Sequence, residues 1–485
     1  MESAIRTRQP LVSRRHGCRR AQLLGWRPMI ENLPALARPD GFPAAPTAFP
    51  GPRSAMLIDE LNRYVITEPW PFVVDLERCR GLTLATVDGQ MLQDWSGVYG
   101  SRLLGYNHPR LQEPAYLARL ALVANNKLGN PDYLTVECLD YYRLLRRLAP
   151  ACLAGHPVEV YAVNSGAEAV ENMLKYLINL HDRRHGAAGK QAPHRFIRFD
   201  GAFHGRTVFA LSLTGLAHAP LITRDFHGLF PFVECVPFPA FDPEADAAAN
   251  QTVADTSLAA IEGILAAHPG EVVGVVAEIL QGAGGQRVAV PGFWPRLSEL
   301  VHRHGTCLAF DEVQTAGGQC GAIFACDLLA LPHPPQAIAV AKKFGCGAVY
   351  MRHPMEDEGV LDSTWGGNLC DMVRVVQEFR VVEEERLLAR SLERAQRLVA
   401  GLEDLARRHA QRIGKVRGLG LYQGFSLRDR ALTGDFLELA RDRAGLFLLS
   451  AGPGQIRLRP PLDVDEADIA RLLAGLDQVC RALPG

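Results

Sequence analysis

Two pairs of residues that could carry chemistry follow apolar runs in the middle of the chain. Lys342 and Lys343 come after "QAIAVA", and Asp311 and Glu312 come after "TCLAF". Because successive side chains of a strand point to opposite faces, each pair can offer only one residue to a given site. A lysine there could form a Schiff base, and a deep carboxylate could hold a protonated ring nitrogen. A solvated loop remains the alternative for the lysines.

A third chemical feature is the stretch "NSGAE" at 164–168, which runs directly into a helical pattern. Small residues at a helix N-terminus let backbone N–H groups approach an anion, and the helix dipole favours negative charge there. The stretch therefore suits a phosphate. A simple N-cap at Ser165 would give the same sequence.

Two further loops carry an aromatic ring and charged groups. "GAFHGR" at 201–206 offers Phe203 to cover a flat ring and Arg206 to grip a carboxylate. Its alternative is a polar loop with a surface ion pair. "EILQGAGG" places Glu278 at the end of an apolar run, where a buried carboxylate requires a partner such as an arginine. A structural salt bridge and a functional gate are both open.

Together these parts suit pyridoxal phosphate, bound as a Schiff base, better than other cofactors. Of the two lysines, Lys342 follows the small Ala341, which would let the backbone pass beneath a cofactor, whereas Lys343 follows another long side chain. We therefore assign Lys342 as the reactive amine and Lys343 as a bystander. Asp311 and Glu312 lack further ligands at suitable spacing, so no metal site is expected.

The elements that must position these residues alternate between strand and helix. Apolar runs typical of strands begin near residues 158, 194, 274, 306 and 336, with amphipathic helical patterns such as 166–184 and 293–305 between them. This order predicts an α/β fold with a mostly parallel sheet, because parallel neighbours need helical crossovers. Sites in such sheets lie at the carboxyl ends of the strands.

The chain divides into four parts by texture. Residues 1–55 hold nine arginines and three acids and are Pro-rich, which predicts a disordered N-terminal extension. We expect residues 111–375 to form the large cofactor-binding domain. A smaller α+β domain is expected to combine residues 56–110 with residues 376–485, which include a long helical stretch at 371–410.

Composition favours small-molecule partners. Lys and Arg total 52 and Asp and Glu total 53, so no global field favours nucleic acid or membranes. Eleven cysteines occur singly, without CxxC or Cys/His spacing, and predict reduced thiols in a cytoplasmic protein without disulfides or a metal. No apolar stretch is long enough to span a bilayer.

The ordered motifs of the chain resemble those of class III aminotransferases of fold type I, and within that class the L-lysine 6-aminotransferases. The likeness covers about residue 60 to the C-terminus, and "STWGGN" followed by "DMVR" is the feature of the lysine branch. The matching stretches are "GYNHP" (105–109), "GAEAVENMLK" (166–175), "GAFHGR", "LSLT" (211–214), "AEILQGAGG" (277–285), "DEVQT" (311–315), "STWGGNLCDMVR" (363–374) and "RLRPPLDV" (457–464).

The resemblance implies a role for each matching residue. The cofactor phosphate would be held by the backbone at Ser165, Gly166 and Ala167 and by Thr364 of the neighbouring subunit, so the protein would be a homodimer. Around the pyridine ring, Phe203 would stack, Asp311 would keep the nitrogen protonated, and Gln314 would lie near the cofactor oxygen and the substrate.

The resemblance also implies how two substrates share one pocket. Arg206 would bind the α-carboxylate of lysine, and Arg459 would bind that of 2-oxoglutarate or glutamate. Glu278 would pair with Arg459 while lysine is bound and release it for the second substrate.

The implied reaction is a ping-pong transfer of the ε-amino group of L-lysine to 2-oxoglutarate. Its products would be glutamate and 2-aminoadipate 6-semialdehyde, which cyclises to piperideine-6-carboxylate. The alternatives are another class III ω-aminotransferase, acting on 4-aminobutyrate, ornithine or diaminobutyrate, and a non-catalytic paralogue.

Overall fold

A computed structural model of the chain describes residues 48–226 and 228–484. The helices in this part are α1 Pro52–Leu61, α2 Gly97–Gly100, α3 Pro114–Ala124, α4 Val136–Arg147, α5 Gly166–Gln191, α6 Val208–Ser212, α7 Ala247–Ala267, α8 Phe293–Arg303, α9 Leu369–Glu384, α10 Leu387–Arg408, α11 Thr433–Ala444 and α12 Glu466–Ala482. The strands are β1 Thr83–Ala85, β2 Met91–Asp94, β3 Glu159–Val163, β4 Arg195–Phe199, β5 Val233–Val236, β6 Val272–Ala277, β7 Leu280–Gln281, β8 Arg287–Val288, β9 Cys307–Asp311, β10 Ala337–Val340, β11 Gly347–Met351, β12 Ile413–Leu419, β13 Tyr422–Leu427, β14 Leu446–Phe447, β15 Leu449–Ser450 and β16 Gln455–Leu458.

A seven-stranded sheet forms the centre of the fold, in the order β3-β11-β10-β9-β6-β4-β5. Strands β10, β9, β6, β4 and β5 are mutually parallel, and β11 runs antiparallel between β10 and β3. The prediction of an α/β fold with a mostly parallel sheet is confirmed. The antiparallel β11 was not predicted, since its short run "GAVYM" carries no direction signal of its own.

Burial on both faces explains why the central strands are continuous apolar runs. Every residue of β6, β10 and β11 is buried, and α5 packs across β10 and β11. Parallel strands covered by helices on both faces have this composition rather than an alternating one. The carboxyl ends of these strands are therefore held in place by the packed sheet.

The remaining strands form smaller sheets. One is antiparallel, in the order β12-β13-β16-β15. Another places β2 between β1 and β14. Because β2 pairs with β14, residues of the 56–110 segment and of the 376–485 segment share one sheet.

The predicted extension ends earlier than residue 55, which corrects its boundary. Helix α1 begins at Pro52, and the Ser54 side chain is buried. The backbone N–H of Ser54 donates to Asp88 at 3.0 Å, and the backbone N–H of Arg53 donates to the same carboxylate at 2.8 Å. These contacts fix the helix start, whereas residues 1–47 lie outside the described part.

The stretch 371–410, predicted as one long helical segment, contains two helices. The break between α9 and α10 falls at Arg386, whose φ is +52°, a left-handed conformation that ends a helix locally.

Within the described residues no helix is both long and apolar enough to cross a membrane. The ten cysteines described there are all free thiols.

Candidate active site

The ends of several central strands surround one cavity of about 310 Å³. Most of the residues assigned from the sequence line it, although they come from five separate segments of the chain. The lining residues are Ser165, Gly166, Ala167, Phe203, His204, Gly205, Arg206, Glu278, Asp311, Val313, Gln314, Ala341, Lys342 and Gly345. A cavity of this size at the carboxyl ends of parallel strands suits a small cofactor and its substrate.

Lys342 is the lysine that lines the cavity, whereas Lys343 does not. The Lys342 backbone has φ of +54°, a left-handed conformation that non-glycine residues rarely adopt and that tends to occur at functional sites. Its Nζ donates to the carbonyl of Tyr99 at 3.0 Å. Burial, followed by the nearby Arg459 and Lys343, lowers its pKa well below the ordinary value, which favours a neutral, nucleophilic amine.

Lys343 is buried, so the solvated-loop alternative is wrong for this residue, whereas its assignment as a chemical bystander stays a prediction. Its side chain is 1% exposed and points away from the cavity. The amine donates to the carbonyl of Gln314 at 2.5 Å, to the hydroxyl of Tyr422 at 3.1 Å and to the carbonyl of Gly100 at 3.3 Å. Burial lowers its pKa to about 7. Lys343 thus ties three segments together behind the cavity.

We expect Lys343→Ala to lower the free energy of unfolding by about 2–3 kcal/mol, because it leaves a cavity and unpaired buried carbonyls. Chemical denaturation of the cofactor-loaded protein measures this effect. Lys127→Ala is the matched control, since that lysine is exposed and its Nζ lies 4.0 Å from the centre of the Trp365 ring. Equal stability of Lys343→Ala and the parent protein would contradict the structural role.

Asp311 and Glu312 point to opposite sides, as predicted. Asp311 lines the cavity, and its carboxylate accepts from the Val313 N–H at 2.9 Å and lies 2.8 Å from Nδ1 of the buried His204. Glu312 is fully buried on the other side, where it accepts from Thr315 and from two backbone N–H groups. One carboxylate therefore faces the cavity and the other holds the loop behind it.

The N-terminus of α5 forms one wall of the cavity. Ser165 caps the helix, since its hydroxyl accepts from the Glu168 N–H at 3.2 Å. Ser165 is therefore an N-cap. The cap still leaves the first amides of the helix, at Gly166 and Ala167, without helical acceptors. A Cβ on Gly166 would lie 2.8 Å from Val313 and 3.3 Å from Ala341, so the position requires glycine. Helix amides exposed to a cavity suit an anion.

Phe203, Arg206 and Glu278 meet at another wall. The backbone N–H of Phe203 donates to Glu278 at 2.9 Å, and the Arg206 guanidinium is exposed, 6.0 Å from the centre of the Phe203 ring. Burial raises the pKa of Glu278 to about 7, although the neighbouring His204 and the Phe203 N–H oppose this shift. Glu278 can therefore take up or release a proton near neutral pH.

Glu278 and Arg459 form no ion pair among the described residues, and their predicted pairing while lysine is bound stays a prediction. Arg459 is fully buried, donates to Gln286 at 3.4 Å, and keeps its Nε and Nη1 without partners. Burial, then the neighbouring Arg457, lowers its pKa well below the ordinary value. Two free donors on a buried guanidinium leave room for a carboxylate.

Arg457 is a residue that the sequence analysis missed. It lies in β16, two positions before Arg459, donates to the carbonyl of Gly282 at 3.2 Å and has an unpartnered, buried Nε. The same Gly282 approaches Arg459 and the side chain of Gln314 closely. The period of two along a strand was the signal that could have identified Arg457 beside Arg459.

Thr364 does not line the cavity of its own chain. It is exposed, on a segment where the Trp365 carbonyl accepts from the Asn130 side chain at 3.3 Å. Its assigned contact with a cofactor phosphate would therefore come through a second copy of the chain and stays a prediction.

The cavity fits pyridoxal phosphate on observations of its walls. The amides at the start of α5 suit the phosphate, Asp311 suits a protonated ring nitrogen, and Lys342 provides a neutral amine. In addition, Oε1 of Gln314 and Nε2 of His204 are buried without hydrogen-bond partners among the described residues. His204 was not assigned from the sequence, where "GAFHGR" pointed only to its aromatic and cationic members.

Comparisons with known proteins place the chain in a family. Residues 66–480 match the model of Aminotransferase class-III. The chain is 33% identical to an L-lysine-epsilon aminotransferase of Mycobacterium bovis, over 86% of this chain and 93% of the relative, and 26% identical to the mitochondrial 4-aminobutyrate aminotransferase of Sus scrofa, over 95% and 96%. The structure resembles the lysine aminotransferase of M. tuberculosis in the internal aldimine form, with a TM-score of 0.82, 29% identity and coverage of 89% and 100%. The chain therefore belongs to the class III aminotransferases and is a transaminase that depends on pyridoxal phosphate.

Proposed function

We propose that this protein transfers the ε-amino group of L-lysine to 2-oxoglutarate, giving glutamate and 2-aminoadipate 6-semialdehyde, which cyclises to piperideine-6-carboxylate. The observation that carries the proposal is the likeness, over most of both chains, to relatives named for lysine and the ε position. The arrangement of the cavity supports it, because Arg206 and Lys342 both line the cavity.

The amino donor would bind with its carboxylate at Arg206 and its terminal amine towards Lys342. The exposed guanidinium of Arg206 offers a planar fork for a carboxylate. A long diamine acid held this way presents its far amine, rather than its α-amine, to the interior. Which of the two amines of the donor reacts therefore depends on binding its carboxylate at the outer end of the cavity.

Bound pyridoxal phosphate supplies an aldehyde that captures amines and a ring that accepts electrons. Ser165, Gly166 and Ala167 would hold its phosphate, together with Thr364 of a second copy. Phe203 would cover the ring, Asp311 would hold its nitrogen, and Gln314 would lie near its oxygen. Lys342, with its depressed pKa, would take a proton from the carbon that bears the reacting amine and return it later.

Two unlike substrates must use this cavity in turn. Lysine carries one carboxylate, whereas 2-oxoglutarate carries two, so the acceptor needs an extra cation that the donor does not. Arg459, with two unpartnered nitrogens, is assigned to that carboxylate, and Arg457 offers a third unpartnered nitrogen beside it. Glu278 could mask this positive charge in the lysine half-reaction by ionising, since its pKa of about 7 allows both states near neutral pH.

A second candidate is an ω-aminotransferase for a shorter donor such as 4-aminobutyrate, ornithine or diaminobutyrate. The likeness to the 4-aminobutyrate aminotransferase of Sus scrofa favours 4-aminobutyrate among these. That donor has one carboxylate and one terminal amine, so the same walls could receive it. A non-catalytic paralogue is disfavoured by the position of Lys342 in the cavity and by the lowering of its pKa.

Half-reactions with single donors separate these candidates. We expect lysine to change the cofactor absorbance of the purified protein at least tenfold faster than 4-aminobutyrate, ornithine or diaminobutyrate at equal concentration. Stopped-flow spectroscopy without an acceptor measures each rate. The proposal is wrong if lysine leaves the absorbance unchanged while 4-aminobutyrate shifts it.

The proposed assembly is a cytoplasmic homodimer with shared active sites. Its support is that Thr364 is exposed and that apolar residues such as Trp365 and Tyr133 are exposed as well. Burial of such residues commonly accompanies association. The free cysteines described above are consistent with a reducing compartment.

A further inference from the structure

Three histidines and one aspartate converge where α5 ends and β4 begins. His181, Asp182 and His185 lie on α5, and His194 directly precedes β4. One ligand atom from each of His181, Asp182 and His194 lies within 4.8 Å of the others. We call these four residues the His/Asp cluster. None of them lines the cavity described above.

One distance within the His/Asp cluster, from His181 to Asp182, equals that between ligands of one metal ion, and the shorter hydrogen bond from His194 to Asp182 would lengthen when an ion binds. Nε2 of His194 lies 2.7 Å, and Nδ1 of His181 lies 3.3 Å, from the same oxygen of Asp182. Two ligand atoms around tetrahedral zinc, with bonds of about 2.0–2.1 Å, are about 3.3 Å apart. His185 follows His181 by one helical turn, and their rings lie 4.5 Å apart. A histidine pair at this helical spacing can bind one metal from one face.

The hydrogen bond of His181 to the backbone gives a second, independent indication. Its Nε2 lies 2.8 Å from the carbonyl of Gly270, which can only accept, so Nε2 carries the hydrogen. Nδ1 is then the ring nitrogen of His181 that faces the Asp182 carboxylate, at 3.3 Å. Histidines that ligate metals commonly donate their other nitrogen to a carbonyl in this way.

The cations beside the cluster are engaged elsewhere. Arg183 pairs with Glu356 and Asp357, and Arg184 donates to the carbonyl of Gly305. Neither arginine neutralises Asp182 in the described structure. The hydrogen-bond partners of the Asp182 carboxylate are His181 and His194, and together they form a mixed nitrogen and oxygen set that suits zinc and neighbouring divalent metals.

We propose that the His/Asp cluster is a binding site for a divalent transition-metal ion of the zinc type. Nδ1 of His181, the carboxylate of Asp182 and Nε2 of His194 would be its protein ligands. The bound ion would fix the end of α5 to the start of β4 and stabilise the fold. No metal was expected from the sequence, since the proximity of His194 to His181 and Asp182 depends on the tertiary fold.

Zinc titration of the cofactor-loaded protein, stripped of metal beforehand with a chelator, tests the proposal. We expect one zinc ion per chain to bind by calorimetry, and at least tenfold weaker binding in His194→Ala and Asp182→Asn. His333→Gln is the matched control, because His333 also faces a carboxylate, Glu299 at 3.0 Å, and should bind zinc like the parent protein.

Thermal unfolding provides a second measurement. Zinc should raise the melting temperature of the parent and of His333→Gln but not that of Asp182→Asn, because only a ligand of the native state stabilises it. Unchanged cofactor absorbance shows that each variant is folded, whichever amine the enzyme uses. His194→Gln, which keeps most of the side-chain volume, serves if the other variants unfold, and should weaken binding. Absence of zinc binding by the parent, or equal binding by all variants, would overturn the proposal.

Discussion

Lys342→Ala is expected to reduce turnover by at least 10²–10⁴-fold, the usual contribution of a positioned acid or base, with a further loss of the covalent link. The expectation rests on position: Lys342 lines the cavity in a left-handed conformation, and its pKa is lowered well below the ordinary value by burial and nearby cations. The visible absorbance that depends on the link between this amine and the cofactor should disappear. Absorbance spectra and steady-state rates measure both effects.

Lys343→Met is the matched control for this substitution. Methionine keeps most of the buried volume but removes the amine that donates to Gln314 and Tyr422. The folded fraction should keep the cofactor absorbance and stay within about tenfold of the parental rate, while stability falls. Added methylamine should restore part of the turnover of Lys342→Ala. If Lys343→Met loses the absorbance and Lys342→Ala keeps it, the assignment is reversed.

Asp311→Asn is expected to slow the first half-reaction by about 10²–10³-fold. Removal of one charge-stabilising group from other active sites has an effect of this size. The Asp311 carboxylate is fixed by His204 and by the Val313 N–H, and it faces the cavity. A neutral amide of the same shape cannot hold a protonated ring nitrogen by charge. Rapid mixing with a single amine donor measures the rate directly.

Glu312→Gln separates this effect from a general effect on the fold. It also converts a buried carboxylate into an amide, but its side chain holds Thr315 and the backbone at Ala325 and Cys326. We expect lower stability with little change in the half-reaction rate per folded molecule. A rate for Asp311→Asn within threefold of the parent would contradict the assigned role.

The parallel sheet and its strand ends were predictable because their signals are local. Apolar runs followed by small or charged residues identify buried strands and the positions after them. The opposite faces of Asp311 and Glu312 follow from the period of two alone, and the structure has this arrangement. The antiparallel β11 was missed, since strand direction depends on its neighbours in the sheet.

Contacts between distant segments could not be read from the sequence. Lys343 looked like a surface residue because its partners, Gly100 and Tyr422, lie far away along the chain. The role of His204 beside Asp311 and the proximity of His181 to His194 have the same origin. A side chain's environment is set by tertiary packing, which local spacing does not encode.

The most direct test of the proposed function follows the nitrogen atom itself. The purified enzyme is incubated with 2-oxoglutarate and lysine labelled with heavy nitrogen at either the ε or the α position, and glutamate is analysed by mass spectrometry. We expect ε-labelled lysine to give labelled glutamate together with the cyclised semialdehyde, and α-labelled lysine to give unlabelled glutamate. Label arriving from the α position, or no glutamate from lysine while 4-aminobutyrate supports turnover, would contradict ε-amino transfer.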